Sequence, residues 1–359
     1  MVTRTEPTTY FIAEAGVNHD GDMDQAERLV DAAVDAGADA VKFQTFVADR
    51  LATRDAPKAP YQEETTGEQS QYEMLRELEL TRADHERLQS YCREHDIEFL
   101  STPFDAESAT LLDDLDVPRV KLGSGELDNH PLLEHVAGFG RPMVVSTGMG
   151  TVAEVRDALD AIRSVDEDLA VTFLHCTTAY PASLDEVNLR AMRTMAEELP
   201  TPVGYSDHTT RVEVPAFAVA AGATVVEKHF TLDRTLPGPD HRASLEPDEL
   251  ATAVSLVRDA ETVLGSAEKA PTRTERENRA VIRKSLHATT DVAPGERFSA
   301  ENVSVTRPAD GLPPTAYERV LGTTARVAVE AGTAVTEDAI DGPVETDDVF
   351  EGPAESDDR

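Results

Sequence analysis

Short β-branched runs alternate with amphipathic helical segments along most of this chain, and that alternation restricts the fold more than any other feature. Runs at Tyr10–Ala13, Ala40–Phe43, Glu98–Leu100, Arg119–Leu122, Met143–Val145, Ala170–Leu174, Pro202–Tyr205 and Thr224–Glu227 read as eight strands. Helical patterns follow each one, such as MDQAERLVDAAVDAG after the first and TVAEVRDALDAIRSV after the fifth. Successive βα units build a parallel sheet, because each crossover helix returns the chain to begin the next strand in the same direction. Eight units over about 260 residues match a closed (β/α)8 TIM barrel. No G-x-G-x-x-G opens a helix after the first strand, so the signature of an open dinucleotide-binding sheet is missing. With no Trp and 40% hydrophobic residues, the interior must be filled by Ala, Val and Leu.

A barrel of this type carries its active site at the C-terminal rim, so polar residues at the strand ends are the candidate functional set. Lys42 and Lys121 sit in apolar contexts, VKFQ and VKLGSG, where an unpaired ammonium facing the interior would be costly. Two lysines aimed at the rim of so acidic a chain imply a bound anion. The loop Gly123-Ser124-Gly125 adds backbone N–H groups and a hydroxyl. With Thr102, Ser146 and Ser206 it makes a pocket for a doubly anionic ligand, a phosphorylated small molecule being the natural candidate. His208 in GYSDH and His229 in EKHF fall just beyond the last two runs. Two neutral imidazoles at one rim suit a divalent transition metal, with Asp207, Glu227 and Asp240 close enough in sequence to add oxygen ligands or hydrogen-bond acceptors. A helix-capping hydroxyl or a hydrogen-bonded structural histidine is the ordinary alternative at each position.

Charge narrows the partners. The 69 acidic against 33 basic residues give a formal net charge of −36, which argues against nucleic acid or an anionic membrane. The acidic residues are scattered over predicted helix surfaces, a coat suited to a high-salt cytoplasm, so the expected source is halophilic. Cys92 and Cys176 are the only cysteines, which excludes a disulfide framework. The start MVTRTEPTTYFIAEAG lacks the pattern of a signal peptide, and the longest apolar run, Val214–Val226, is too short to span a bilayer. A soluble cytoplasmic protein is expected.

The succession AEAGVNHDG, VKFQTF, STPFD, VKLGSGE, STGM, LHCTTAYP, GYSDHT and EKHFTLDRTLPGPDHRASLEP resembles the sialic acid synthase family of N-acetylneuraminate, legionaminate and pseudaminate synthases. The resemblance covers almost the whole chain in order. It implies a metal-dependent barrel that joins phosphoenolpyruvate to N-acetylmannosamine or a related acylated hexosamine, with water, and releases phosphate. Carried onto this sequence, it gives His208 and His229 to Mn2+, with Mg2+ or Co2+ as alternatives. It makes Glu14, His208 and His229 catalytic, Glu14 being the proton-transfer residue and Glu126 a second carboxylate able to share that work. Lys42, Thr102, Lys121, Ser124, Ser146, Thr178 and Ser206 would grip phosphoenolpyruvate, while Gln44, Tyr180, Asp240 and Arg307 would contact the sugar acceptor. Thr178 departs from the Asn or Ser common at its position.

Domain limits are expected at 1–264 for the barrel, 265–282 for a polar linker, 283–341 for a small, mainly β module, and 342–359 for an acidic disordered tail. The module carries short β-like runs, KSLHATTDV, VSVTRP and ARVAVE, separated by turns. It resembles the antifreeze-like (SAF, β-clip) domain that ends these synthases. The resemblance implies a domain-swapped homodimer in which Arg307 reaches the partner's sugar site; Ala309-Asp310 departs from the glycine-rich pattern there. Two rival readings stay open. One is another metal-dependent phosphoenolpyruvate-condensing or aldolase-type barrel enzyme, the other a non-catalytic sugar-binding protein.

Overall fold

Eight parallel strands form one sheet in the first of two units into which the chain divides, Met1–Gly265 and Ser266–Arg359. The structure is a computed structural model that describes residues 9–58 and 70–342. All but the first residue of the tail expected at 342–359 lies outside the described residues. The strands are β1 (Tyr10–Gly16), β2 (Ala40–Thr45), β3 (Glu98–Pro103), β4 (Val120–Leu122), β5 (Met143–Ser146), β6 (Val171–Cys176), β7 (Val203–Asp207) and β8 (Val225–His229). Their order is β3-β2-β1-β8-β7-β6-β5-β4, and β3 lies beside β4 without a hydrogen-bonded ladder, so the sheet curls into a near-barrel.

Each strand was expected at its observed place, but most run one to three residues further at the C-terminal end. The reason is the alternation of side chains in a strand. Ile12, Ala40, Leu100, Val144, Leu174 and Val225 form one apolar cluster in the bore. Two residues on, the same inward columns carry Glu14, Lys42, Thr102, Ser146, Cys176 and Glu227. Polarity there reads as loop in the sequence, yet the backbone is still in the ladder: Glu14 pairs with Lys42 and with His229 across β1, β2 and β8.

The outward columns, including Phe11, Val41, Phe43, Phe173, Tyr205 and Val226, pack in the main core against the return helices. In α1 (Met23–Asp35) the buried residues Ala26, Leu29, Val30 and Ala33 recur at helical spacing, and the Asp22 carboxylate caps the start by accepting the Asp24 N–H at 2.8 Å. After β2 the chain takes a longer course through α2 (Ala48–Leu51), α3 (Gln71–Glu77) and α4 (Arg82–Glu94). Single helices follow the other strands: α5 (Ala106–Asp114), α6 (His130–Ala137), α7 (Val152–Val165), α8 (Arg190–Glu198), α9 (Val214–Ala220) and α10 (Pro247–Leu264). Among the described residues no helix is long and apolar enough to cross a membrane.

In the second unit, part of the stretch expected as a linker is helical: α11 (Arg273–Ile282), capped by a Thr272–Glu275 capping box, has no buried residue. Strands β9 (Ser285–Ala288) and β10 (Val303–Thr306) pair antiparallel. The third expected run, ARVAVE, contributes only isolated bridges, at Ala325 and Val329. Leu286, Val292, Phe298, Val303, Leu312 and Val335 belong to this unit's own core.

One outward pair is charged. Lys228 and Asp207 face each other across β8 and β7 at 2.6 Å with no side-chain exposure, and Lys228 also donates to the Thr209 carbonyl. Lys228→Met would leave the Asp207 carboxylate buried without its cation, so urea unfolding should show a loss of about 3–5 kcal/mol. Adding Asp207→Leu should recover most of it. A loss under about 1 kcal/mol would place the pair with ordinary surface bridges.

Candidate active site

The inward columns end in two cations and two anions withdrawn from water. Lys42 Nζ lies 2.8 Å from Glu14 and 3.6 Å from Glu227, and donates to Thr102 Oγ1 at 2.9 Å. Lys121 Nζ donates to Ser146 Oγ at 2.7 Å and to the Leu122 carbonyl at 2.9 Å, and lies 3.6 Å from Glu227. The Ser206 hydroxyl donates to Glu227 at 2.7 Å. All seven of these side chains are buried. Burial alone would raise the Glu227 carboxyl, but Lys121, Lys42 and Ser206 outweigh it and hold the group ionised, below the usual range. At Glu14 burial wins over Lys42 and the neighbouring Glu227 charge adds to it, pushing this carboxyl up. Burial also lowers the Lys121 ammonium against the pull of Glu227, whereas at Lys42 the pull of Glu14 and Glu227 outweighs burial and raises it. Two lysines set so deep make a floor suited to an anion.

His208 and His229 stand side by side above this floor, their ring centroids 5.4 Å apart. His208 Nδ1 lies 2.6 Å from the Thr177 carbonyl. A carbonyl can only accept, so Nδ1 carries the proton and Nε2 keeps its lone pair. Burial holds both imidazoles below their ordinary pKa, and at His229 the adjoining His208 adds to the effect. His229 Nδ1, Glu14 Oε2 and Glu227 Oε2 are buried without a hydrogen-bond partner. A neutral imidazole pair with an unsatisfied ring nitrogen, beside unsatisfied carboxylate oxygens, is a donor set that fits a divalent transition ion. Among the described residues no three His, Cys, Asp or Glu converge as a complete cage. Two imidazoles would leave coordination positions open to substrate and water.

The expected site residues of the barrel line one cavity of about 310 Å³, namely Glu14, Lys42, Gln44, Thr102, Lys121, Ser124, Ser146, Thr178, Tyr180, Ser206, His208, His229 and Asp240. Ser124 Oγ accepts the Gly148 N–H at 3.0 Å, and the Tyr180 ring packs 4.2 Å from that of His208. Gly16, at φ +56°, gives the end of β1 a left-handed backbone that other side chains rarely adopt, where Glu14, Gln44 and Asp240 draw close to it. Arg307 belongs to the second unit, where it is exposed and donates to the Ile282 carbonyl at 2.7 Å.

Some expectations shift. Glu126 is not in the cavity; it is half-buried and bonded to Asn129 at 2.6 Å. Asp207, a candidate oxygen ligand, faces outward into its pair with Lys228. Glu227 is the carboxylate that the sequence reading undervalued. The signal was available in VVEKH, where strand alternation puts positions 225, 227 and 229 on one face. A second omission is an apolar wall of Val17, Leu51, Met74, Leu78 and Phe104 on one side of the cavity.

The family model described as "NeuB family" matches residues 29–269, and the SAF domain model matches residues 283–341. N,N'-diacetyllegionaminic acid synthase from Legionella pneumophila is 46% identical over 340 residues, 93% of this chain and 95% of that protein. The protein of the same name from Campylobacter jejuni is 44% identical over 316 residues, 88% of this chain and 95% of that one. The crystal structure of N-acetylneuraminic acid (sialic acid) synthetase from Leptospira borgpetersenii, in complex with citrate, is similar with a TM-score of 0.67 at 33% identity, covering 76% of this chain and 90% of that one.

Burial pushes the Asp240 carboxyl from the ordinary 3.8 to about 6, against the pull of His241 and Lys42. An acid that holds its proton more tightly in the fold loses its stabilising contribution as pH rises through that interval. Asp240→Asn cannot ionise. Its stability relative to the unaltered protein should therefore grow between about pH 4 and 6 and stay level above, as read by urea denaturation across pH.

Proposed function

The chain belongs to the NeuB family, and on that premise we propose that it is a nonulosonic acid synthase whose acceptor is a 2,4-diacetamido-6-deoxy sugar of the legionaminate type. The observation that carries this reading is the cavity itself, which is lined by a floor of two lysines, an imidazole pair and an apolar wall. Lys42, Thr102, Lys121, Ser124, Ser146, Thr178 and Ser206 hold the phosphate and carboxylate of phosphoenolpyruvate. In the reaction its C3 bonds to the acceptor's aldehyde carbon, water adds at C2, and the C2–O bond breaks to free phosphate.

His208 and His229 would hold the divalent metal, Mn2+ in our reading, which when bound supplies Lewis acidity at the aldehyde. Glu14, whose carboxyl burial pushes up to about 7, is positioned to move the proton that accompanies conversion of the aldehyde oxygen to a hydroxyl. Glu227 stays ionised between the lysines, 3.6 Å from each, and orients both ammonium groups.

Gln44, Tyr180 and Asp240 contact the acceptor. The wall of Val17, Leu51, Met74, Leu78 and Phe104 suits the methyl groups of a deoxy, acetamido-bearing sugar, and among the described lining residues there is no arginine to bind a second phosphate. Likeness to two N,N'-diacetyllegionaminic acid synthases supports the same acceptor. We extend the proposal to a cytoplasmic, domain-swapped homodimer in which Arg307 serves the partner's site; the SAF domain match supports it. The net charge of −36 supports function in high salt.

Phosphate release from phosphoenolpyruvate with Mn2+ in molar KCl, run with N-acetylmannosamine, its 6-phosphate and a 2,4-diacetamido-6-deoxy sugar, tests the reading. The deoxy sugar should give the highest kcat/KM, and no release with any of the three would sink the synthase assignment. His208→Ala and His229→Ala should each reduce turnover to background while circular dichroism stays unchanged. Chelation should do the same reversibly, and full activity in either variant would refute the metal assignment.

A further inference from the structure

The segment that carries Asp240 has no regular structure beyond one 3-10 turn, yet it is bonded at two points to the turn that follows β1. His241 is fully buried, with Nε2 3.0 and 3.1 Å from the two Asp20 carboxylate oxygens and Nδ1 2.7 Å from Thr231 Oγ1. An ionised carboxylate only accepts, so in the neutral ring Nε2–H donates to Asp20 and Nδ1 accepts the Thr231 hydroxyl. Asp20 is held in turn by Gln25 Nε2 at 2.8 Å, and its backbone lies in the left-handed region at φ +51°. Gly238 lies flush on this pair: a Cβ there would come within 2.6 Å of the His241 ring and 2.8 Å of Asp20.

The other tie runs through Asn18, also fully buried. Its Nδ2 donates to the Phe230 carbonyl at 2.8 Å and to Ser244 Oγ at 3.0 Å. The Ser244 hydroxyl donates onward to the backbone carbonyl of Asp240 at 2.7 Å. Neither Asn18 nor Asp20 lines the cavity, whereas Pro239 and Asp240 do. His241 and Ser244 are thus both bonded to one turn, and the cavity-lining Asp240 directly precedes the first and gives its carbonyl to the second.

We propose that the Asn18–Asp20 turn is a positioning element for the acceptor half of the site, setting where Asp240 stands through His241 and Ser244. The proposal rests on the acceptor role given to Asp240. It predicts a division of labour, since Lys42, Thr102, Lys121, Ser146 and Ser206, which take phosphoenolpyruvate, hang on β2, β3, β4, β5 and β7.

The test uses the full-length protein with Asp20→Ala and Asp20→Asn, assayed with whichever of the three acceptors releases phosphate. Asp20→Ala should raise KM for the acceptor about tenfold, the effect of losing one charge-assisted hydrogen bond. KM for phosphoenolpyruvate and the Mn2+ dependence should stay within about twofold. Asp20→Asn, which keeps an oxygen to accept from His241, should recover most of the loss.

Hydrogen–deuterium exchange without substrate should quicken at residues 238–244 in Asp20→Ala. Equal rises in both KM values, or an unchanged acceptor KM, would overturn the proposal. If no acceptor turns over even in the unaltered protein, the functional reading fails on its own, and the exchange result decides the positioning claim: faster at 238–244 supports it, unchanged overturns it. Should Asp20→Ala not fold, Ser244→Ala removes a single hydroxyl and is judged by the same measurements.

Discussion

Everything at the mouth of this barrel depends on the mutual neutralisation of Lys42, Lys121, Glu14 and Glu227. None of the four could stay charged at such depth alone, since stripping an ion of water costs several kcal/mol. Each is tolerated because the others, with Thr102, Ser146 and Ser206, take up its donors or one of its acceptor oxygens, which leaves Glu14 Oε2 and Glu227 Oε2 without a hydrogen-bond partner. The arrangement is fixed before substrate arrives, so its dipoles and charges need little reorganisation when chemistry begins. The same interdependence means that no member can be exchanged without altering the protonation of its neighbours.

Much of this was legible in the sequence because the barrel writes its layers into each strand with a period of two. Ile12 then Glu14, Ala40 then Lys42, and Leu100 then Thr102 are the bore and the site seen along single columns. The strand cores were found because they are β-branched and apolar. Their ends were cut short because a charged residue in a strand looks like a loop until its buried partner is known. Glu126 and Glu227 both lie at strand ends in the sequence, but only the facing of β8 puts Glu227 in the cavity, which Glu126 does not line. The helix Arg273–Ile282 was read as linker because it buries nothing, and without an apolar stripe only its capping residues mark it.

The apolar side of the cavity was the least legible part. The apolar wall is assembled from the β1 turn, α2, α3 and the end of β3, which come together only in three dimensions. The hydrogen-bonded ties between Asn18–Asp20 and residues 238–244 join segments more than 200 positions apart, as the Asn18–Ser244 separation of 226 shows. No local pattern announces such a tie.

The depth of the lysine pair beneath an acidic exterior has a kinetic consequence. A dianion approaching a body of net charge −36 meets repulsion first and attraction only within a few ångströms of the floor. At about 0.1 M ionic strength the field reaches roughly 10 Å, whereas at 1 M it fades within about 3 Å. Added salt therefore lowers the outer barrier while leaving the enclosed, poorly screened contacts almost intact. For an anion bound on that floor, ionic strength would act on the encounter rate separately from whatever it does to the folded state.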